Sequence, residues 1–361
     1  MIFIVLGTLA QTVKMAPVIR ELDRRKLHYR FVSTQQHQEN LEDIVADFGL
    51  RPPDVKLWSG AEMNQVRGAG AWMVGVRRAW KKYYAQSGAS AANSVVVVHG
   101  NTTSALLGAW LGRRSGLPVA QVEAGLRSGH WFKPFPEAIQ QELVSRWSQI
   151  LFCPGAWAVN NVAWHRRHAE IIDTLENTLI DSLRYALANQ PAPSQAAKSY
   201  LVVSVRRFET VTRGGQLRRA LDLFHALSGR YDLHVLLHPA TKKALERRGW
   251  LDELTRLPRT KIFPRMPYTD FIGQIANATA VLTDGGSNQE ESSFLGIPCL
   301  ILREVTERPH GLGENARLTG LDQARILGIL EHVESFRRPR RLDGPSPSSI
   351  IVDRLETYGQ Q

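Results

Sequence analysis

Short apolar runs alternate along the chain with longer amphipathic segments, from the first residues to about residue 302. The short runs are rich in valine, isoleucine and leucine and are mostly apolar throughout, which is typical of parallel strands buried on both faces. The segments between them have the length and spacing of helices. The pattern predicts strands at residues 3–6, 29–33, 95–98, 119–123, 150–153, 201–205, 233–237, 261–263, 280–283 and 299–302.

The predicted strands form two series that each alternate with helices, which indicates two doubly wound, Rossmann-like α/β domains. With 361 residues, the chain is too long for one ordinary core and long enough for two. We expect a first domain at 1–172, a second at 173–345, and a last helix within 346–361 that packs back on the first domain. The polar segment 188–195 is the best linker candidate, and 173–177 is an earlier alternative.

The composition is ordinary for a globular soluble protein, with 43% hydrophobic and 22% charged residues, and we expect a cytoplasmic location. The apolar start is too short for a signal peptide, and no stretch is long enough to span a membrane. The net charge of +11 comes from small basic clusters that could steer an anionic ligand, and no nucleic-acid recognition motif accompanies them. Cys153 and Cys299 lie in predicted strands, which favours two buried thiols in a reducing compartment over a nucleophile.

The segment 283–292 carries the most specific chemistry. An apolar strand runs into a Gly-Gly turn and then into a helix that we expect to begin near Asn288. Glycine lets backbone N–H groups approach a phosphate closely, and the start of a helix adds its dipole and its unpaired donors. We therefore predict that Gly285, Gly286 and Ser287 form a diphosphate cradle.

Other polar residues of this half could contact a nucleotide sugar. Glu290 and Glu291 are expected in the first helical turn, where either could accept hydrogen bonds from a ribose, or where both could only stabilise the helix. His238 follows the predicted strand at 233–237. It could contact a sugar or a phosphate, and a purely structural histidine fits that place equally well.

Polar side chains also follow two consecutive strands of the first half. His99 and Asn101 end one strand, Glu123 ends the next, and Glu137 follows after a loop. Acids that come directly after buried strands are seldom simple surface charges, so Glu123 and Glu137 are the leading catalytic candidates. The alternative for Glu123 is a structural acid paired with Arg127.

Several strings occur in the order and spacing of one known family: Lys14-Met-Ala-Pro17, Val98-His-Gly-Asn-Thr-Thr103, Val122-Glu-Ala-Gly-Leu-Arg-Ser-Gly129, Pro134-Phe-Pro-Glu137 and Thr283-Asp-Gly-Gly-Ser-Asn-Gln-Glu-Glu291. In these motifs the chain resembles the non-hydrolysing UDP-N-acetylglucosamine 2-epimerases, from the first strand to at least Pro309. The resemblance implies the GT-B fold, in which two Rossmann-like domains face each other across the active-site cleft. It also implies a UDP-sugar as the bound nucleotide.

The same resemblance implies roles for individual residues. The Gly-Gly turn would hold the diphosphate, Glu291 the ribose, and the backbone of the segment that begins at Phe263 the uracil. Further contacts to UDP would come from Lys14, Arg206, Arg207 and His238. The catalytic positions would be His99, Asn101, Glu123 and Glu137.

The chain departs from the family pattern where the chemistry needs charge. The family eliminates UDP from the sugar and adds it back with the opposite configuration at C2, which requires a base and a partner for the leaving phosphate. Leu9 and Gln11 replace the arginine and the glutamate of G-T-R-P-E, and Asn101 replaces an aspartate. Val205 stands at the histidine of H-R-R-E. Loss of one catalytic acid or base typically costs about a hundredfold to ten-thousandfold in rate.

We therefore expect a glycosyltransferase that moves an N-acetylhexosamine from UDP-N-acetylglucosamine to a small acceptor of unknown identity. The alternative is a UDP-N-acetylglucosamine 2-epimerase. A UDP-sugar hydrolase and a non-catalytic UDP-sugar sensor remain as further possibilities. No metal and no cofactor are expected, because the motifs offer no Asp-x-Asp pair or histidine cluster. We also expect a homodimer.

Overall fold

The computed structural model describes residues 1–36, 41–60, 66–126, 137–190, 199–205, 214–306 and 308–360. Contacts within the chain divide it into two compact units, Met1–Tyr185 with Gly344–Gln361, and Ala186–Asp343. The division falls after Tyr185, whereas the sequence predicts it after residue 172. Most of the candidate linker at 188–195 lies outside the described residues.

The first unit is built on a seven-stranded parallel sheet with the strand order β3-β2-β1-β4-β5-β6-β7. Its strands are β1 (Ile2–Leu6), β2 (Tyr29–Ser33), β3 (Val55–Lys56), β4 (Val95–His99), β5 (Val119–Val122), β6 (Ile150–Cys153) and β7 (Glu170–Asp173). The helices are α1 (Leu9–Arg24), α2 (Leu41–Asp47), α3 (Val66–Ala85), α4 (Thr103–Arg114), α5 (Glu137–Trp147), α6 (Ala156–Asn161) and α7 (Leu179–Ala188). The valines of β4 are fully buried, as expected for a central strand covered on both faces.

The second unit repeats this plan with a six-stranded parallel sheet in the order β10-β9-β8-β11-β12-β13. Its strands are β8 (Tyr200–Ser204), β9 (Asp232–Leu236), β10 (Thr260–Phe263), β11 (Ala280–Thr283), β12 (Cys299–Ile301) and β13 (Ala316–Leu318). The helices are α8 (Gly214–Ser228), α9 (Pro239–Glu246), α10 (Leu251–Thr255), α11 (Tyr268–Ala276), α12 (Gly286–Leu295) and α13 (Gln323–Glu331). None of the helices in the described part of the chain is long and apolar enough to cross a membrane.

The last helix, α14 (Pro347–Gly359), belongs to the first unit and packs on α1. Ser346 caps its start by accepting from the N–H of Ser349. Asp353 forms an ion pair with Arg25 at 2.6 Å, and the carbonyl of Gly359 accepts from the N–H of His28 at 3.0 Å. These contacts tie the end of the chain to the segment between α1 and β2.

All predicted strands are present, each within one residue of its predicted ends. The strands that the pattern does not predict, β3, β7 and β13, lie at the edges of the two sheets. An edge strand has one neighbour and is less buried, so its sequence need not be continuously apolar. Glu170 and Asp173, for example, begin and end β7.

Both sheets contain a point at which the strand order reverses. This point lies between β1 and β4 in the first unit, and between β8 and β11 in the second. In open parallel sheets, ligands bind at the carboxyl ends of the strands that flank such a point. The loops that follow these four strands are therefore the expected positions of functional residues.

The end of α12 generates a prediction about stability. Gly296 has a φ of +69°, and a Cβ at this position would lie 1.9 Å from the carbonyl oxygen of Arg338. Gly249 has nearly the same φ, +70°, but among the described residues no heavy atom lies within 4 Å of the added carbon. We expect Gly249→Ala to cost about 1 kcal/mol through backbone strain alone, and Gly296→Ala to cost more than about 2 kcal/mol, because the clash adds to the strain.

The midpoint of urea unfolding, followed by circular dichroism, measures both variants against the parent. Equal shifts for the two variants would contradict the close approach of Arg338 to Gly296.

Candidate functional site

Glu123 occupies the turn directly after β5, one residue beyond the strand's end. Its φ is +63°, a left-handed value that is rare outside glycine, and its side chain is buried. Gln141 of α5 donates to its carbonyl oxygen at 3.2 Å and so holds this backbone in place. Residues in such a strained conformation persist only where the surrounding structure holds them in place. They are concentrated at functional sites.

The carboxylate of Glu123 is held by groups from three other elements. Its Oε1 accepts from Lys14 Nζ of α1 at 2.5 Å and from Asn177 Nδ2 at 2.7 Å. Its Oε2 lies 3.3 Å from Nε2 of His99, at the end of β4. All four side chains are buried. Removing either partner of a buried ion pair destabilises the protein, because the remaining charge is left uncompensated away from water.

This arrangement gives Glu123 a partner other than the one considered in the sequence. The ammonium beside it comes from Lys14, which the sequence places among the UDP-binding residues, and Arg127 lies outside the described residues. Lys14 and Glu123 are 109 positions apart. Only the sheet brings them together, since α1 follows β1 and the turn with Glu123 follows β5.

Gln11 ties together the loops that follow β1 and β4. Its Oε1 accepts from the N–H groups of Gly7 and Thr8 at 3.0 and 3.1 Å. Its Nε2 donates to the carbonyl of His99 at 2.7 Å and to Thr102 Oγ1 at 2.8 Å. A carboxylate could accept the first pair of bonds but could not donate the second. The amide therefore has a structural role that fixes the backbone of His99.

Asn101, Leu9 and Glu137 follow the ends of the same strands. Asn101 is half-buried in the turn between β4 and α4, and Leu9 is buried as the first residue of α1. Glu137 is the first residue of α5, and its side chain lies outside the described residues. The structure thus brings Glu123, His99 and Lys14 into one cluster, with Asn101 two residues from His99.

In the second unit, α12 begins at Gly286 and not near Asn288 as predicted. Gly285 is the N-cap, and no side chain caps this end. Thr283 explains the early start: its Oγ1 accepts from the N–H of Gly285 and donates to Asn288 Oδ1, both at 3.0 Å. Gly286 and Ser287 are consequently the first two helical residues. Their N–H groups and the helix dipole together favour an anion at this end.

The two glutamates of α12 differ in their surroundings, and both lie one turn deeper than predicted. Glu291 Oε2 accepts from Asn288 Nδ2 at 2.9 Å, which links it to the start of the helix. Glu290 is fully buried and faces Arg308 at 3.3 Å and His310 at 3.8 Å. Glu290 therefore serves an internal ion pair, and Glu291 is the better candidate for a ribose.

Gln289 directly precedes Glu290 in α12. It anchors the loop that carries Arg308 and His310. Its Nε2 donates to the carbonyls of Arg308 and His310, both at 2.9 Å, and its Oε1 accepts from Thr306 Oγ1 at 2.7 Å. The loop is thus fastened to α12 by one buried amide.

His238 caps the start of α9, where its Nδ1 accepts from the N–H of Ala240 at 3.3 Å. Phe263 ends β10 and tilts against the ring of His234 at 5.0 Å. Val205, which aligns with the family's histidine, has its side chain in the apolar core of this unit. Arg206 and Arg207 lie outside the described residues.

Known proteins match the chain over nearly its whole length. The family model described as UDP-N-acetylglucosamine 2-epimerase matches residues 20–347. The chain belongs to this family. The UDP-N-acetylglucosamine 2-epimerase of Methanococcus maripaludis is 31% identical over 93% of this chain and 92% of its own length. The enzyme of the same name from Bacillus subtilis is 24% identical over 98% of this chain and 95% of its own.

Among solved structures, the UDP-GlcNAc 2-epimerase of Methanocaldococcus jannaschii, in complex with UDP-GlcNAc and UDP, is 26% identical with a TM-score of 0.83, and 99% of each chain is covered. The two parallel sheets are therefore those of the GT-B-like, two-domain fold of the UDP-N-acetylglucosamine 2-epimerases, as predicted.

The prediction of a glycosyltransferase is wrong. The family model and the full-length relatives are UDP-N-acetylglucosamine 2-epimerases. The prediction counted changed residues as lost catalytic groups, but two of them have structural roles in this chain. Gln11 donates two hydrogen bonds that the family's glutamate could not donate, and Val205 packs in a core.

Sequence reasoning missed Asn177 and Gln289. The sequence pattern does not predict β7, because polar residues begin and end this strand. Asn177 follows β7 and is therefore not predicted as a residue at the end of a strand. Gln289 lies within a recognised epimerase motif, but nothing in the motif shows that its amide spans three groups of a distant loop.

Cys153 and Cys299 are both free and buried, as their places in predicted strands indicate. Burial raises the pKa of Cys153 and of Cys299 to about 12, so both thiols stay protonated at neutral pH. Within the residues that the structure describes, no three His, Cys, Asp or Glu side chains are grouped in a way that could hold a metal ion.

The thiols provide a simple test of this packing. At pH 8 a thiol with a pKa of about 12 is ionised to about one part in ten thousand, and both are also shielded from reagent. We expect 5,5′-dithiobis(2-nitrobenzoate) to label neither cysteine in the native protein and both in guanidinium. Rapid release of one equivalent of thionitrobenzoate before unfolding would show that one strand is more accessible than described.

Proposed function

We propose that this chain is a UDP-N-acetylglucosamine 2-epimerase, which interconverts UDP-N-acetylglucosamine and UDP-N-acetylmannosamine. The observation that carries the proposal is the buried carboxylate of Glu123, held at 2.5 Å by the ammonium of Lys14, in a chain matched along its length by enzymes of that name. The complex of a solved relative with UDP-GlcNAc and UDP supports the same ligands here.

The proposed reaction proceeds by elimination and re-addition. The C2–H bond and the bond from C1 to the UDP oxygen break, and a C1=C2 double bond forms. UDP then adds back to C1 while a proton returns to C2 from the opposite face. Each half needs a group that accepts or supplies the C2 proton and positive charge beside the leaving diphosphate.

Glu123 is the proposed proton carrier on one side of C2. Its pairing with Lys14 supports an ionised carboxylate, and its burial removes the water that would otherwise weaken it as a base. Asn101 cannot exchange a proton as an aspartate would, so the second transfer falls to Glu137 in this proposal. Asn101 and His99 would then orient the sugar by hydrogen bonds.

The second unit supplies the proposed nucleotide site. The N–H groups at the uncapped start of α12, at Gly286 and Ser287, would bind the diphosphate, with Gly285 allowing the close approach. Glu291 would hold the ribose, since Asn288 already fixes one of its oxygens. The remaining predicted contacts to UDP, from His238, Arg206, Arg207 and the backbone near Phe263, complete the proposal.

The decisive experiment follows proton NMR of the protein with UDP-N-acetylglucosamine in D₂O. We expect the C2 proton signal to disappear and UDP-N-acetylmannosamine to accumulate, because reversible elimination exchanges C2 hydrogen with solvent. Release of free sugar with hydrogen retained at C2 would instead identify a hydrolase. Binding without any turnover would identify a sensor.

A double variant provides the matched control for this experiment. Glu123→Gln alone should destabilise the protein by about 3–5 kcal/mol, because it leaves the buried ammonium of Lys14 uncompensated. Lys14→Met combined with Glu123→Gln removes both charges and should restore most of that stability. The double variant should still lose C2 exchange by at least about a hundredfold, which separates catalysis from folding.

The ribose contact is tested by Glu291→Gln. This change keeps the shape of the side chain but replaces a charge-assisted hydrogen bond with a neutral one, so UDP should bind more weakly by about 1–2 kcal/mol, roughly five- to thirtyfold. Isothermal titration calorimetry measures the affinity. Glu304→Gln, an exposed acid of the same unit, is the matched control. Equal affinities for both variants would move the ribose away from Glu291.

A further inference from the structure

Asn177 is a buried asparagine in the turn between β7 and α7, outside the motifs quoted above for the family resemblance. The two ends of its amide have different partners. Its Oδ1 accepts from the N–H of Leu179 at 3.0 Å, at the start of α7, and its Nδ2 donates to Glu123 Oε1 at 2.7 Å. Because a backbone N–H can only donate, the bond to Leu179 fixes the oxygen end and so directs the NH₂ group at the carboxylate.

The turn that carries Asn177 is itself fastened to β6. Asp173 Oδ1 accepts from the N–H groups of Gly155 and Leu175 at 3.1 and 2.7 Å. Thr174 Oγ1 lies 3.0 Å from the carbonyl of Cys153. Leu175 has a φ of +66°, an unusual conformation that these bonds hold in place. The position of the amide is therefore set by bonds between this turn and the end of β6.

The contacts of Glu123 distinguish its two oxygens. Oε1 accepts from two donors, Lys14 and Asn177, whereas Oε2 faces His99 at 3.3 Å. Lys14 of α1 and His99 of β4 are charged or titratable groups that face this carboxylate, and α5 presents the neutral amide of Gln141 to the backbone. A carboxylate oxygen that already accepts two short hydrogen bonds is a poor place for a proton.

We propose that Asn177 is a positioning residue for proton transfer by Glu123. Its NH₂ group, together with Lys14, occupies Oε1, which keeps the carboxylate ionised and directs the exchanged proton to Oε2, on the side of His99. The proposal deepens the proposed epimerase function and rests on it for its kinetic consequences. A neutral donor suits this position because a second cation would bind the carboxylate too tightly for it to accept a proton.

Two substitutions of Asn177 retain the cap of α7 but change what faces Glu123. In Asn177→Ser, the hydroxyl can still accept from Leu179 N–H but cannot reach Oε1. We expect kcat for C2 exchange to fall about tenfold to a hundredfold, with KM within about twofold of the parent. In Asn177→Asp, a carboxylate oxygen meets Oε1, and the two acids share a proton. The acid limb of the pH profile should then move up by about one pH unit or more, with activity partly recovered at higher pH.

The matched control is Asn277→Ser, which removes an asparagine Nδ2 bond to the carbonyl of Gly273 at 2.9 Å in the second unit. It should leave kcat within about twofold of the parent and the pH profile unmoved. If Asn177 were merely structural, its variants would lower the melting temperature and leave the pH profile unchanged. That result would overturn the proposal.

A second measurement needs no enzymatic activity. Protein labelled with [δ-¹³C]glutamate reports the titration of Glu123, whose resonance is assigned by its loss in the double variant of Lys14 and Glu123. We expect its midpoint to move to higher pH in Asn177→Asp, and less so in Asn177→Ser. If the parent shows no C2 exchange, the proposed function fails while this shift still supports the positioning role. An unchanged midpoint in both variants would defeat the positioning role alone.

Discussion

The buried ion pair between Lys14 and Glu123 is the constraint on which the first unit's functional cluster depends. Away from water, a carboxylate or an ammonium is stable only beside its counter-charge and with its remaining hydrogen bonds made. Lys14 and Glu123 meet at 2.5 Å because β1 and β4 are adjacent in the sheet and β5 follows β4. The pair thereby fixes α1 against the turn that follows β5. The ion pair also stabilises the left-handed backbone conformation of Glu123, since relaxing this conformation would separate the charges.

The candidate site of the second unit is built in a different way. The buried ion pair between Glu290 and Arg308 holds a loop to α12 together with Gln289. What remains at the start of the helix is backbone, two glycines and a short chain of hydrogen bonds that begins at Thr283. A site made of N–H groups suits a diphosphate because it needs no additional buried cation. One unit thus relies on paired side-chain charges and the other on oriented peptide groups.

The sequence allows most of the fold to be predicted, and the failures have physical causes. Central strands are buried on both faces and read as continuous apolar runs, so all of them were found, whereas β3, β7 and β13 lie at edges where polar residues are tolerated. For the candidate site, the family motifs point to Glu123 and to the turn at Gly285 and Gly286. They could not show what each side chain touches.

Contacts between distant positions account for the larger errors. Whether Gln11 is a lost acid or a structural amide depends on the carbonyl of His99, 88 positions away. That Lys14 meets Glu123 depends on strand order, which a motif does not encode. The expectation of a glycosyltransferase treats each departure from the family pattern as an isolated loss of a catalytic group. The structure shows that such positions have to be read together with their partners.

The return of α14 to the first unit has a consequence for the order in which the chain is made. Domains generally fold as they leave the ribosome, the earlier one first. Here the earlier unit includes Gly344–Gln361, so it stays incomplete until the whole of Ala186–Asp343 has been synthesised. During that interval the side of α1 that α14 covers is open, and Arg25 lacks its partner Asp353. The unit that starts first is therefore the one that finishes last, and a nascent chain stalled before residue 344 would expose that surface to chaperones and proteases.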